Sequence, residues 1–147
     1  MIPKFRVWLP DPDVERMLRV KALVFEHDKT RCVCGYAYDF YLEDEDATIM
    51  QSTGLLDKNG KEIFEGDILQ IDYIKAIVRF GQYRYYETVG KDVLTGNGFY
   101  LECLNVMDPD CISPYETDIL HKAEVIGNIY ENPEYDQNFV GFRIKGK

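Results

Sequence analysis

The chain has 147 residues, 46% hydrophobic and 29% charged, with 26 acidic against 17 basic side chains for a net charge of −9. That balance belongs to a globular domain and not to a disordered tail, and it opposes non-specific attraction to nucleic acid, which needs clustered Lys and Arg. No apolar run approaches the ~20 residues of a membrane span, and the opening Met1-Ile2-Pro3-Lys4-Phe5-Arg6 lacks the apolar stretch of a secretory signal, so a cytoplasmic location is expected.

The elements read mostly as strands, and 11 Tyr and 8 Phe favour sheets, where rings pair across neighbours. Lys4 to Leu9 alternates and is broken by Pro10-Asp11-Pro12-Asp13. Asp13 could cap a short helix, but Val20-Lys21-Ala22-Leu23-Val24-Phe25 is rich in β-formers, so one strand from about Met17 is expected. Cys32 to Leu42 has the clearest period of two: Cys34, Tyr36, Tyr38, Phe40 and Leu42 share a face, opposite Gly35, Asp39 and Glu43. Glu43-Asp44-Glu45-Asp46 reads as a solvated acidic loop, because four carboxylates are too few to imitate DNA phosphates.

Two turn signals sit between Met50 and Leu69. Asp57-Lys58-Asn59-Gly60, flanked by Leu55-Leu56 and Ile63-Phe64, predicts a hairpin, since Asn tolerates and Gly freely adopts positive φ. Glu65-Gly66-Asp67 is a second turn, opening a strand from Ile68 to Tyr73. Ala76 to Phe80 and Tyr83 to Thr88 then read as two more strands of a meander, turning at Gly81-Gln82. Gly90 to Gly98 reads as a mobile loop, and Phe99 to Leu104 as a strand. Ser113-Pro114-Tyr115-Glu116 fits a capping box, predicting one short helix that turns Ile119, Leu120 and Ala123 inward. Val125 to Tyr130 resumes strand character until Asn132-Pro133, and Phe139 to Ile144 would add an edge strand or a swapped arm.

These elements predict a mainly β, β-rich α+β fold: N-terminal strands plus a small SH3-like β-barrel body with one short helix. Nothing in the composition splits residues 1–147 into separate domains. Two lobes are compatible with it, strands 1–46 and a barrel-like body 48–134, with a C-terminal extension 135–147.

The string Thr53-Gly54-Leu55-Leu56-Asp57-Lys58-Asn59-Gly60-Lys61-Glu62-Ile63-Phe64-Glu65-Gly66-Asp67-Ile68 resembles the central block of the YopX-like family of phage and prophage proteins. Glu124-Val125-Ile126-Gly127-Asn128-Ile129-Tyr130-Glu131-Asn132-Pro133-Glu134 resembles its second block, and Lys4-Phe5-Arg6-Val7-Trp8 its opening. The resemblance implies a phage-encoded or prophage-encoded protein with no established biochemical role. It brings no catalytic residue with it.

Catalytic and metal signals are sparse. Cys32 and Cys34 share a strand face and His27 lies five residues before Cys32, but without C-x-x-C pairs among Cys32, Cys34, Cys103 and Cys111 the expected state is four reduced thiols, with no metal and no cofactor. His121 has no triad partner in view, and Glu65 and Asp67 are better placed to bind backbone amides than to act as an acid–base pair. The richest surface signal is the interleaving of Lys75, Arg79 and Arg84 with Tyr83, Tyr85 and Tyr86. Tyr and Arg are favoured at protein interfaces, so a protein–protein contact, self-association included, is the leading use expected for these residues. The alternative is an aromatic platform for single-stranded nucleic acid, against which the net acidity weighs. The chain is thus expected to be a non-enzymatic interaction module, homo-oligomeric and without membrane contact.

Overall fold

The computed structural model describes residues 3–10, 15–35, 38–86, 93–104, 112–114 and 121–136. Over these the protein is mainly β, as the sequence predicts. The chain divides into two compact units, Met1–Gly54 and Leu55–Lys147.

In the first unit β1 (Phe5–Pro10) lies between β2 (Glu15–Arg19) and the start of β6 (Thr48–Leu56), antiparallel to both. Alternation along β1 turns Val7 and Leu9 inward, where they are buried with Met50. A second sheet has β4 (Thr30–Gly35) between β3 (Ala22–Phe25) and β5 (Tyr38–Tyr41), followed by a single helical turn, α1 (Leu42–Glu45). Cys32 sits on the central strand, opposite Leu23 and Phe40, and is fully buried.

Three expectations are corrected in this unit. The single strand from Met17 to Phe25 is two strands in different sheets: Val20 N–H donates to the Phe5 carbonyl (3.1 Å), while the next residue, Lys21, donates to Val33 (2.7 Å). The pattern of β-formers continues, but the ladder partner changes. The period-2 run from Cys32 to Leu42 is likewise a hairpin and a helical turn, broken at Gly35 (φ +95°), where the β4–β5 register shifts. The acidic run is that helical turn and not a loop. Asp46 ends it in the left-handed region (φ +55°), Asp44 pairs with Lys29 (3.0 Å), and Glu43 accepts from Thr30 N–H (2.8 Å), the bond that chiefly lowers the Glu43 pKa.

The second unit opens with the last residues of β6, which turn through residues 57–61 into β7 (Glu62–Phe64). Beyond lies a curled sheet with β8 (Asp67–Ile71) between β12 (Glu124–Asn128) and β9 (Ile74–Tyr86), then β10 (Val93–Cys103) and β11 (Ile112–Pro114). A 3-10 turn, Pro133–Tyr135, follows β12. The core is Ile63, Leu69, Ala76, Val78, Leu101 and Ala123, with Leu55, Ile71, Phe99 and Val125 packed against it.

Both predicted turns form here, with Gly60 (φ +82°) and Gly66 (φ +88°) in the left-handed region. The Gly81-Gln82 turn does not: β9 continues unbroken through it, and the expected loop from Gly90 to Gly98 is, from Val93 onward, strand β10. Gly81 (φ +149°) faces Gly98 (φ +129°) across the ladder, so the glycines bend a continuous ribbon instead of ending its strands. The expected helix start is also overturned, because Ser113 and Pro114 lie in β11 opposite Leu101 and Tyr100. As the last residue of an edge strand, Pro114 tolerates its missing N–H. Residues 115–120, with Ile119 and Leu120, and Phe139 to Ile144 lie outside the described residues; Ala123 is buried as expected.

Candidate interaction surface

Two aspartates of the turn motifs, Asp57 and Asp67, are committed to the backbone. Asp57, 6% exposed, accepts through Oδ1 from Asn59 and Lys61 N–H (both 2.8 Å) and through Oδ2 from Val125 N–H (2.9 Å). Burial opposes its charge, yet these three bonds and the Lys61 ammonium outweigh burial and hold the carboxyl below its ordinary range. Asp67, also buried, accepts from Phe64 N–H (2.8 Å) and thereby closes the second turn. Neither side chain is poised as an acid or base.

These bonds also tie the two motif blocks together. Besides Asp57–Val125, Lys58 N–H donates to the Ala123 carbonyl (2.9 Å), Ile129 N–H donates to the Gly66 carbonyl (3.0 Å), and β8 pairs with β12. Within the second block Asn128 Oδ1 accepts from Tyr130 and Glu131 N–H (3.0 and 2.9 Å), and Asn132 N–H donates back to the Asn128 carbonyl (2.8 Å). Both blocks are read most directly as fold-defining turns. Only the two turns were visible in the sequence; the reach of Asp57 to a residue 68 positions away left no local signal.

Among the thiols, Cys32 and Cys34 bring their sulfurs to 3.7 Å. Burial first, then the neighbouring Cys34 and the Asp39 charge, push the Cys32 thiol up to about 12, and burial raises Cys34 as well. Burial thus holds both thiols protonated near neutrality. Among the described residues no three His, Cys, Asp or Glu side chains converge into a metal site. Cys111 lies outside them.

The residues proposed for binding separate into two groups along β9. Arg79, near the sheet, is held by Glu102 and Asp136 (both 2.8 Å), with all three side chains about one-fifth exposed. Burial works against its charge, but the hydrogen bonds and charges of the two carboxylates prevail and raise its pKa. Lys75 stands over the Tyr135 ring, 5.4 Å from its centroid. The cations grouped by the sequence are therefore not one open patch: Arg79 is neutralised, and Arg84 is the exposed member.

The second group lies beyond the Gly81–Gly98 bend. There β9 and β10 pair with each other from Gln82–Asn97 to Tyr86–Val93, while β8 reaches β9 only up to Ile77 and β11 reaches β10 only at Tyr100–Glu102. Among the described residues, this outer ribbon has no third strand. Tyr83 lies over Gly96, where a Cβ would overlap its ring, and packs on Tyr100 at 4.9 Å; inward of the bend, Phe80 meets Phe99 edge-on at 4.8 Å. Gln82, Arg84, Thr95 and half-exposed Val93 face solvent, and a 390 Å³ concavity is lined by Gln82, Tyr83, Arg84 and Thr95. The side chains of Tyr85 and Tyr86 lie outside the described set, although their backbones continue the ladder opposite Leu94 and Val93.

The family model described as "YopX protein" matches residues 4–135, nearly the whole chain and both motif blocks. The chain belongs to the YopX family. For this YopX-family chain a solved structure gives a further comparison: the crystal structure of protein EF1440 from Enterococcus faecalis is similar with a TM-score of 0.52 and 28% identity, over 91% of this chain and 97% of that one. No curated protein matches the YopX-family chain. Within it, the blocks that carried the resemblance are the ones hydrogen-bonded to each other, so they account for the fold more directly than for a chemistry.

Proposed function

We propose that this YopX-family chain is a non-enzymatic accessory protein of a phage or prophage, acting in the bacterial cytoplasm by holding a protein partner on the outer β9–β10 ribbon. The carrying observation is the ribbon itself: two paired strands without a third neighbour among the described residues, with Arg84, Thr95 and Val93 on one face and Tyr83 on the other. A ribbon of this kind offers edges, an exposed arginine on one face and a tyrosine on the other, which suit protein contacts. A second copy of the chain is among the partners it can take. The curled five-stranded sheet supports a small SH3-like body. In the family of chemistry-free readings, protein binding is favoured over nucleic acid because Arg79 already carries two carboxylates.

The test is affinity capture of tagged protein from bacterial lysate, with and without nuclease, comparing the native chain with Tyr83→Ala/Arg84→Glu. The expected result is a protein partner that survives nuclease and falls at least about tenfold in the variant, as loss of a hot-spot pair implies. Capture abolished by nuclease would transfer the reading to nucleic acid. Capture unchanged in the variant would remove the ribbon as the site.

A further inference from the structure

The first unit carries a separate surface, argued independently of the ribbon. Where the chain passes from β2 to β3 a groove of about 510 Å³ opens, with Phe5, Leu23 and Phe25 supplying apolar lining and Lys4, Arg19 and Lys21 supplying charge. No carboxylate is among its described lining residues, although the chain as a whole carries −9. Phe25 is 80% exposed, an unusual position for a ring at the end of a four-residue apolar strand.

Ala22, Leu23 and Phe25 of this lining belong to β3. Among the described residues β3 is the outermost strand of its sheet. Glu26 N–H donates to the Lys29 carbonyl (2.9 Å), which marks that cross-strand pair as bonded. In an antiparallel ladder bonded pairs alternate, so Val24–Arg31 and Ala22–Val33 are the next ones. The peptide groups of Leu23 and Phe25, two residues of the groove lining, therefore point away from β4.

We propose that this groove binds an extended acidic segment of a partner protein, which adds a strand to the free edge of β3. Its backbone pairs with Leu23 and Phe25, alternate apolar side chains meet the Phe5–Leu23–Phe25 surface, and its carboxylates face Lys4, Arg19 and Lys21. Charge complementarity selects an acidic occupant, and an edge of alternating N–H and C=O groups selects a peptide over a phosphate backbone, which brings no donors to those carbonyls. The chain's own acidic run does not suit the role in a second copy, because Leu42–Glu45 is wound into a helical turn.

The test is fluorescence anisotropy of the intact protein with a labelled peptide of roughly ten residues alternating Glu and Val, a companion peptide with Lys in place of Glu, and an oligothymidine of similar length. The acidic peptide should bind at least about tenfold more tightly than either companion, and Lys4→Glu/Lys21→Glu should remove that margin. Phe25→Pro deletes an outward N–H without touching the β4 ladder, so it should abolish binding, whereas Phe25→Ala should only weaken it. Circular dichroism of each variant confirms the fold, and Phe25→Pro keeps the test decisive should the double charge reversal unfold. Preference for oligothymidine, equal binding of both peptides, unaltered binding by Phe25→Pro, or no binding of the acidic peptide up to about 1 mM would each overturn the proposal.

Discussion

At Asp57 one carboxylate closes a hairpin through Asn59 and Lys61 and fastens it to β12 through Val125. Replacing it by Ala leaves three amide donors without their charged acceptor, and a loss of about 3 kcal/mol is expected at pH 7. Asp57→Asn keeps one acceptor oxygen but turns an NH₂ toward a donor, so a smaller loss is expected. The pH dependence has a definite sign. The folded carboxyl lies below its ordinary value, so its contribution is complete above the unfolded aspartate value of about 4 and fades as pH falls through the folded one. Denaturant titrations of the native chain and Asp57→Ala should show a stability gap that is wide at pH 7 and narrower at about pH 3. A gap that is constant or widens on acidification would show that the carboxylate charge is not what stabilises the turn.

The β9–β10 ribbon depends on its glycine pair. Gly98 (φ +129°) and Gly81 (φ +149°) have open space around them, so a side chain there is strained by backbone conformation and not by collision. Gly98→Val should cost about 1–3 kcal/mol, while Thr95→Val, exposed on the same strand, should stay within about 0.5 kcal/mol. Hydrogen exchange should quicken at residues 82–86 and 93–97 before it does at 76–78 and 101–103, and uniform quickening would deny the bend its local role. The same pair marks where sequence reading stops. Asp57–Gly60 and Glu65–Asp67 were legible because a turn is specified by adjacent residues. Gly81-Gln82 was misread because Gly in a strand and Gly in a turn look alike until the facing residue is known, and Gly98 is 17 positions on. Val20-Lys21 concealed a change of sheet for a similar reason: propensity records strand character but not the partner. Ser113-Pro114 met the requirements of a helix start, yet pairing with β10 prevailed over local propensity. For the candidate site, the sequence grouped Arg79 with Arg84 because they are five residues apart; Glu102 and Asp136, which divide their roles, come from distant segments.

For the molecule as a whole, charge separates the two proposed surfaces by the sign of their response to salt. Two copies approaching each other each carry −9, so self-association through the ribbon must overcome long-range repulsion. Screening shortens that repulsion from about 30 Å at 0.01 M to about 10 Å at 0.1 M salt. Sedimentation equilibrium should therefore show association strengthening severalfold between about 0.01 and 0.1 M salt, with Tyr83→Ala/Arg84→Glu weaker at both. The groove beside β3 is governed by local cations meeting a partner's carboxylates, and its affinity should weaken over the same range. If self-association also weakened with salt, the contact between copies would be an attraction of opposite charges, with an exposed cation such as Arg84 seated against a partner's carboxylates. The ribbon would then bind through charge and not through its aromatic face. If the groove's affinity were indifferent to salt, its three cations would be bystanders and the edge of β3 alone would account for binding.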